Sequence, residues 1–356
     1  MYKILDLSKK EEWNSYFEQI DNKQQDIYYK PEYYELFEKE GVGKAKCFVF
    51  KMNKEIALYP FILNSVNRLG YKLENEYFDI QGAYGYNGVI STSYKNDFRT
   101  SFFQALNQYC HNANIIAEFI RFNPLIKNHN FCILDEAIYL KDNVLIDLEP
   151  KLDEIWMKSF DNGVRKAVKK GRRNQLKFES YLGSELNNEL LEEFIRIYYS
   201  TMKRNKAKDF YFFSRKYFNN VIKLLPENSL FSFVKKHDDY ISIEFNYFHK
   251  LYAYGFCGGT LAKYFKYSPN SFLRFELIKV LKNIGIKYYS IGSGIKRNDS
   301  IYKFKKSFSR NIKNKFYIGK RIYNEEVHNK VIKQWKQKSI KSYKENKNKV
   351  LGYREI

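Results

Sequence analysis

The segment from Gly292 to Phe308 combines residue types that can bind and polarise a substrate. A strand-like run ends in Gly292-Ser293-Gly294, and a short basic helix is predicted to follow it. That helix carries three aromatic residues and three lysines, namely Tyr302, Phe304, Phe308, Lys303, Lys305 and Lys306. Glycine lets a ligand approach the backbone, and aromatic rings offer apolar contact and, in tyrosine, a hydroxyl group. The pattern indicates a cleft, and at least one of the three lysines is expected to be solvated, because they cannot all face inward on one helix.

Two further glycine-rich stretches could approach a ligand. In the stretch from Tyr77 to Gly88, Tyr84 and Tyr86 flank Gly85 and present stacking faces and hydroxyl groups. An aromatic surface turn without a ligand explains the same residues equally well. The pair Gly258-Gly259 lies between a predicted strand and a predicted helix, and we expect it in the turn that joins them.

Arginines provide the candidate anion contacts. Arg121, at the end of a predicted strand, could bind an anion or pair with Glu118, and we favour the pairing. Arg165 opens a densely basic run that reaches Arg173. This run is either a solvated helix face or a contact to a phosphate backbone, with equal weight on the two interpretations.

The sequence lacks the motifs of several catalytic classes. It has no GxxxxGK[ST] phosphate loop, no HExxH or His/Cys cluster and no GxSxG elbow. The four cysteines form no close pair, which argues against zinc ribbons, CxxC redox motifs and a disulfide scaffold. We therefore expect no catalytic metal and no tightly bound cofactor.

Hydrophobic periodicity predicts the same order of elements in both halves: helices, antiparallel strands, a helix and a strand. The predicted elements of the first half are Trp13–Ile20, Pro31–Glu40, Ala45–Phe50, Ile56–Leu63, Asp97–His111 and Ile115–Phe122. Those of the second half are Leu186–Met202, Ser229–Lys235, Tyr240–Phe248, Leu251–Phe256, Pro269–Ile284 and Lys287–Ile291. A domain boundary is expected at Glu149-Pro150, after a strand-like run, and Tyr323–Lys347 is expected to form a basic terminal helix.

Charge is distributed unevenly along the 356 residues, whose formal net charge is +22. Residues 1–150 hold 17 basic and 21 acidic residues, net −4, whereas residues 151–356 hold 45 and 19, net +26. Such asymmetry predicts a polyanionic partner for the second half. No apolar signal region opens the sequence, and no run of about 18 apolar residues occurs. We expect a cytoplasmic protein, with peripheral contact at the inner face of the membrane as an option.

Taken together, these motifs resemble the Fem-type peptidoglycan bridge-forming peptidyltransferases and their relatives of the GCN5-related N-acyltransferase superfamily. The resemblance covers roughly residues 75–330 and depends on the order of the motifs. They are Tyr84-Gly85-Tyr86, Arg121-Phe122-Asn123-Pro124, Arg165-Lys166-Ala167, Ser200 to Arg204, Cys257 to Thr260, Ser268 to Ser271, Gly292-Ser293-Gly294, Asp299 to Lys305, and Phe316 to Lys320.

The resemblance implies an α/β (α+β) fold of two tandem acetyltransferase-like domains, with mostly antiparallel sheets flanked by helices. The expected domains are 1–150 and 151–322, followed by a basic C-terminal helix at 323–356. Fem-type enzymes transfer amino acids from aminoacyl-tRNA to an amine on a peptidoglycan precursor, and relatives acylate amino sugars. The pair Phe304-Lys305 matches the family's Phe-Lys, so Lys305 would stabilise charge on the acyl carbonyl oxygen. Two departures are that no coiled-coil arm is visible and that the acetyltransferase pyrophosphate run, Gln/Arg-x-x-Gly-x-Gly/Ala, is absent.

We therefore predict an acyl or aminoacyl transferase that forms an amide on an amine of a cell-envelope saccharide or peptidoglycan-type precursor. The donor is expected to be aminoacyl-tRNA, with acyl-CoA as the alternative, and the acceptor to be nucleotide-linked or lipid-linked. A non-catalytic protein that binds RNA or a membrane surface is the remaining alternative. The predicted catalytic residues are Lys305, Phe304, Asp299 and Asp79, with Glu244, water or the substrate as other possible general bases. The predicted substrate-binding residues are Tyr84, Gly85, Tyr86, Arg121, Arg165, Arg204, Gly258, Gly259 and Tyr302.

Overall fold

A computed structural model describes residues 1–133, 137–296, 298–310, 312 and 314–355. Its strands are β1 (Tyr2–Leu5), β2 (Lys44–Met52), β3 (Glu55–Ser65), β4 (Phe78–Gln81), β5 (Ile90–Ser91), β6 (Ile115–Arg121), β7 (Ala137–Asp147), β8 (Lys177–Leu182), β9 (Ser229–Lys236), β10 (Asp239–His249), β11 (Tyr252–Thr260), β12 (Tyr288–Gly292) and β13 (Asn314–Ile322). Its helices are α1 (Lys10–Phe17), α2 (Pro31–Lys39), α3 (Asn96–Asn112), α4 (Leu152–Glu154), α5 (Asn162–Arg173), α6 (Asn188–Arg204), α7 (Arg215–Leu224), α8 (Pro269–Asn283), α9 (Ser300–Lys306), α10 (Glu325–Lys338) and α11 (Ile340–Asn346).

The chain divides into two compact units whose limits differ from the expected 150/151 and 322/323. Unit 1 comprises residues 1–140 and 316–356, and unit 2 comprises residues 141–315. The first limit falls earlier because the end of β7 pairs with β12, which ties residues 144–147 to unit 2. The second falls earlier because the end of β13 pairs with β6 of unit 1.

Unit 1 is built on a sheet whose strands lie in the order β1-β2-β3-β4-β6-β13. The first four strands pair antiparallel, β4 pairs parallel with β6, and β6 pairs antiparallel with β13. Helix α3 covers the sheet with an apolar face that includes Phe98, Phe102 and Leu106. The sixth strand, β13, is therefore supplied by the far end of the chain.

Unit 2 repeats this succession with the order β8-β9-β10-β11-β12-β7. Again the first four strands pair antiparallel, the fourth and fifth pair parallel, and the sixth pairs antiparallel. Helix α8 is buried along most of its length, and Val164 and Val168 of α5 join the same core. Both halves therefore share one topology, as the repeated order of elements predicted.

The expected terminal helix over Tyr323–Lys347 is two helices, α10 and α11. The break falls at Ser339, whose backbone is not helical. Its side chain accepts a hydrogen bond from Ser342 N and thereby caps the start of α11. Val327, Val331 and Trp335 of α10 are buried in one cluster with residues of β6. This region is thus part of unit 1 rather than a separate tail.

The glycine pair at 258–259 lies inside strand β11 and not in the turn that was expected there. A β-carbon on Gly259 would lie 2.5 Å from Thr201 Oγ1 and 3.0 Å from the carbonyl oxygen of Ile197, both on α6. One on Gly258 would lie 2.7 Å from the carbonyl oxygen of Ile243. The glycines are required because helix α6 and strand β10 approach closely, and this close packing is not visible in the local pattern.

Candidate functional site

Lys305 lies on α9 in unit 2 and is held beside the end of β12. Its Nζ donates a hydrogen bond to the carbonyl oxygen of Ser293 at 2.9 Å. Gly292 has a positive φ of 73°, and a β-carbon at that position would lie 3.3 Å from Lys305 Nζ. The glycine therefore supplies both the left-handed backbone and the space for the amine. Burial, reinforced by the nearby Arg274 guanidinium, lowers the pKa of Lys305 to about 8.

A buried ion pair lies next to this lysine. Arg274 on α8 donates through Nη2 to Glu244 Oε2 of β10 at 2.8 Å, and both side chains are almost fully buried. The Tyr289 hydroxyl of β12 donates to the other oxygen of Glu244. The Arg274 guanidinium also stacks over the rings of Phe304 and Phe308, 5.6 and 5.3 Å from their centroids. These contacts join three elements of unit 2 around α9.

The ion pair lies where β11 and β12 part. The parallel pairing extends from Tyr252–Tyr288 to Tyr254–Ser290, while β11 continues to Thr260. Gly255 follows the last paired residue, and a β-carbon on it would lie 3.2 Å from Glu244 Oε1. Because β11 is no longer paired with β12 beyond this point, a substrate could bind the released strand edge.

Two buried polar groups near this point lack partners among the described residues. They are the Nε and Nη1 atoms of Arg274 and the whole side-chain amide of Asn246, which is fully buried on β10. Buried polar atoms are nearly always hydrogen-bonded in native proteins. A water or a ligand bound at this site would therefore supply hydrogen-bond partners for the unpaired donors and acceptors beside Glu244.

Asp299 caps the helix that carries Lys305. Its Oδ1 accepts from Tyr302 N, and its Oδ2 accepts from Lys296 N, both at 2.8 Å. These backbone hydrogen bonds lower the pKa of Asp299. An ionised carboxylate that already accepts backbone hydrogen bonds is a weak proton acceptor, and these contacts position α9, while the predicted catalytic role of Asp299 stays a prediction.

Arg165 and Arg204, two predicted substrate contacts of unit 2, are bound to backbone carbonyls. Arg165 Nη1 donates to the carbonyl oxygen of Phe160 at 2.7 Å. Arg204 Nη1 donates to the carbonyl oxygen of Thr260 at 2.7 Å, and its guanidinium lies 4.9 Å from the Phe265 ring centroid. Both arginines thereby stabilise chain connections in unit 2.

In unit 1, Tyr84 and Tyr86 of the 77–88 stretch lie close to Arg121, the last residue of β6. The exposed Arg121 guanidinium lies 5.9 Å from the ring centroid of Tyr84 and 6.0 Å from that of Phe316. Tyr86 packs edge-on against Phe316 and against Tyr28. This cluster offers an exposed cation between aromatic faces, an arrangement suited to a sugar that carries a phosphate or carboxylate.

Gly85 is required by the packing beneath this cluster. Its φ is 111°, and a β-carbon there would collide with the ring of Tyr28. Tyr33 donates to the carbonyl oxygen of the neighbouring Tyr84. Tyr28 and Tyr33 therefore pack against the Tyr-Gly-Tyr stretch and fix its conformation. The sequence pattern did not single out either of them.

The favoured pairing of Arg121 with Glu118 is wrong. Glu118 is buried and accepts hydrogen bonds from the hydroxyl groups of Tyr59 and Tyr323, with Arg321 Nη1 at 3.6 Å. Among the described residues Arg121 has no carboxylate partner. Residues three apart on a strand point to opposite faces of the sheet, so Glu118 faces the core and Arg121 the solvent.

Asp79 is a fully buried ion-pair partner of the C-terminal segment. Arg354 Nε lies 2.9 and 2.8 Å from its two carboxylate oxygens, and the Tyr353 hydroxyl donates to Oδ2 at 2.9 Å. Burial raises the pKa of Asp79, and the Arg354 guanidinium opposes that rise. These contacts assign Asp79 to the folding of unit 1, while its predicted catalytic role stays a prediction.

Asp79→Asn is expected to destabilise the protein and to leave the rate of transfer by the folded fraction unchanged. Losing the carboxylate leaves Arg354 without its buried partner, at a cost of roughly 3 kcal/mol in the free energy of unfolding. Denaturant unfolding and initial rates at low temperature measure the two effects. The control is Asp97→Asn, at an exposed position on α3, with a loss below about 1 kcal/mol. A large loss of rate in Asp79→Asn at unchanged stability would restore the catalytic role.

Comparison with known proteins adds a family to this geometry. Residues 158–306 match the family model described as "Acetyltransferase (GNAT) domain". None of the curated proteins matches the sequence significantly. Among solved structures, the L-PGS structure from Bacillus licheniformis has a TM-score of 0.54 at 12% identity, covering 89% of this chain and 92% of its own. A tandem GNAT protein from the clavulanic acid biosynthesis pathway has a TM-score of 0.51 at 5% identity, covering 91% and 99%.

Residues 158–306 therefore match a GNAT domain model, and the fold of the whole chain is similar to that of tandem GNAT proteins. More particularly, the fold is similar to that of FemX, with a TM-score of 0.66 at 14% identity and coverage of 92% of this chain and 99% of FemX. The predicted fold class and the resemblance to Fem-type proteins are thereby confirmed.

Among the described residues, no three His, Cys, Asp or Glu side chains are grouped as metal ligands would be. The described helices are also each too short or too polar to cross a bilayer.

Proposed function

We propose that this protein is an acyl or aminoacyl transferase that forms an amide on an amine of a cell-envelope saccharide or peptidoglycan-type precursor. The observation that carries the proposal is the half-buried Lys305, with its pKa lowered to about 8, beside the Arg274–Glu244 pair of a GNAT-like unit. A perturbed ionisable group beside a buried charge network marks a candidate reactive site.

The chemistry is attack by a neutral acceptor amine on the carbonyl carbon of an activated acyl ester. A C–N bond forms, the carbonyl oxygen takes up negative charge, and the C–O bond to the donor then breaks. The Lys305 ammonium stabilises the oxyanion, and its partly dehydrated setting strengthens that interaction. The attacking nitrogen loses a proton, and the donor hydroxyl group gains one.

The carboxylates proposed as general bases are engaged elsewhere. Glu244 accepts from Arg274 and Tyr289, Asp299 caps α9, and Asp79 is ion-paired in unit 1. These contacts favour water or the substrate itself as the proton acceptor. Orientation of the two substrates and stabilisation of the oxyanion would then supply most of the rate enhancement.

The start of α8 favours aminoacyl-tRNA over acyl-CoA as the donor. A helix N-terminus binds a pyrophosphate through free backbone N–H groups. Here the helix begins at Pro269, which has no N–H group, so one of the backbone donors at that end is missing. The net charge of +26 on residues 151–356 also suits a polyanionic donor. The GNAT family match keeps acyl-CoA as the second candidate.

Unit 1 carries a surface that suits a saccharide. Aromatic faces at Tyr84 and Tyr86 suit a sugar ring, and the exposed Arg121 suits the phosphate of a nucleotide-linked or lipid-linked precursor. Tyr302, which packs against the unit 2 core beside Lys305, remains a proposed substrate contact there.

The donor is tested by transfer of a radiolabelled acyl group to a nucleotide-linked muramyl peptide or an amino sugar. With charged tRNA as the donor, ribonuclease pretreatment is expected to abolish transfer. Labelled acetyl-CoA with the same acceptors is the matched arm. Transfer from acetyl-CoA that resists ribonuclease would establish the CoA-dependent alternative, and tight tRNA binding without transfer from either donor would favour the non-catalytic one.

A further inference from the structure

The connection between α6 and α7 projects an apolar ring into solvent. Phe210 is 64% exposed, the highest value for an aromatic side chain among the described residues. Phe265, 48% exposed, lies under the Arg204 guanidinium at the end of α6. Since apolar rings are normally buried, two exposed rings close to one helix end indicate a contact surface.

This exposure belongs to an anchored connection. The Tyr198 hydroxyl donates to the carbonyl oxygen of Tyr211, and the Tyr199 hydroxyl donates to that of Phe213 at 3.1 Å. The Phe213 ring also packs against Phe256 of β11, with centroids 4.9 Å apart. The residues that follow Phe210 are therefore held to the unit, and Phe210 itself is presented outward.

Three lysines precede the exposed ring in the sequence. Lys203, Lys206 and Lys208 are exposed and have no carboxylate partner among the described residues. Together with Arg204 and the two rings they form a surface that we call the aromatic-basic patch, which consists of Lys203, Arg204, Lys206, Lys208, Phe210 and Phe265. Lysines attract an anionic surface, and their flexible stems let the charge remain in water while a neighbouring ring is buried.

We propose that the aromatic-basic patch docks unit 2 onto an anionic phospholipid bilayer, with Phe210 inserted at the level of the headgroups. Aromatic rings are favoured at this depth, and basic residues beside them contact lipid phosphates. A bilayer fits these residues because the Phe210 ring carries no polar atom that insertion among lipids would leave unsatisfied, while the lysines near it in the sequence suit lipid phosphates. The inference goes beyond the transfer reaction and does not depend on it.

The test is co-sedimentation of the full chain with vesicles of phosphatidylcholine alone or with 30% phosphatidylglycerol. Binding is expected only to the anionic vesicles and to weaken as salt rises. Phe210→Ser is expected to weaken it about tenfold, the effect of withdrawing one aromatic side chain from an apolar environment. Ile284→Ser, at a 48% exposed position outside the patch, is the matched control and should bind as the unmodified protein does.

Two triple variants distinguish the contribution of the aromatic-basic patch to vesicle binding from that of the protein's overall positive charge. Replacing Lys203, Lys206 and Lys208 by glutamine is expected to weaken vesicle binding more than the same change at Lys341, Lys344 and Lys347, which are exposed in the C-terminal region. Equal losses, or unchanged binding of Phe210→Ser, would overturn the proposal.

Loss of tRNA binding at unchanged vesicle binding would assign the patch to RNA instead. In Phe210→Trp, emission that is not quenched by lipids labelled in the acyl chain would contradict insertion.

Discussion

Lys305→Met is expected to lower the rate of transfer about a hundredfold or more, with a smaller effect on donor binding. Removing one donor that stabilises a developing oxyanion typically costs this much, because the interaction is made only in the transition state. Methionine keeps the length of the side chain and removes the charge. Single-turnover transfer and donor binding at two salt concentrations measure the two effects.

Lys303→Met is the matched control, since Lys303 is exposed on the same helix. It is expected to change the rate less than twofold. Equal, modest and salt-sensitive losses in both variants would mean that Lys305 is one basic residue among many. The non-catalytic interpretation of the charge would then gain.

Glu244→Gln and Arg274→Met are expected to move the alkaline limb of the rate–pH profile in opposite directions. If the ammonium form of Lys305 is required, the rate falls as pH rises through its pKa of about 8. Glu244 raises that pKa and Arg274 lowers it. Glu244→Gln therefore shifts the limb to lower pH, and Arg274→Met shifts it to higher pH. A rate that instead rises through pH 8 would make neutral Lys305 a general base.

Both variants also lose stability, because each leaves a buried charge without its partner, at a cost of about 3–5 kcal/mol in the free energy of unfolding. Rates are therefore compared at temperatures where each variant is folded. Glu276→Gln, two residues further along α8, removes the carboxylate that contacts Lys279 and Arg172 instead. This control should not shift the alkaline limb of the rate–pH profile. If it does, the shifts seen in the Glu244 and Arg274 variants are not specific to those residues, and their role in positioning Lys305 is contradicted.

Sequence periodicity located most elements because their apolar faces are regular. The predicted helix Pro269–Ile284 is α8, with Pro269 at its first position. The predicted strand Tyr240–Phe248 is β10, one residue longer at each end. The pattern failed where a contact between residues far apart in the sequence determines the local structure. Gly259 is an example, because it is a strand residue against which α6 packs closely. No local signal records such an approach.

The candidate site was only partly predictable for a similar reason. Phe304 and Lys305 were identified by their resemblance to a family motif, and Glu244 as one of several acids. Arg274 lies between apolar residues of a predicted helix and Tyr289 lies within a predicted strand, so neither pattern marks them as site residues. The available signal was Arg274 itself, a charge between Leu273 and Phe275, both of which are buried, so that its guanidinium requires a partner.

The origin of the sixth strand gives the chain an order of assembly. Unit 2 is one continuous segment, 141–315, whereas the unit 1 sheet needs β13, whose residues 318–322 pair with β6, and its buried Asp79 needs Arg354. Residues 1–140 are therefore synthesised well before the strand that completes their sheet and the arginine that pairs with their buried carboxylate. The middle of the chain can therefore fold before its beginning, and the nascent N-terminal segment is the part that chaperones and proteases meet in an unfinished state.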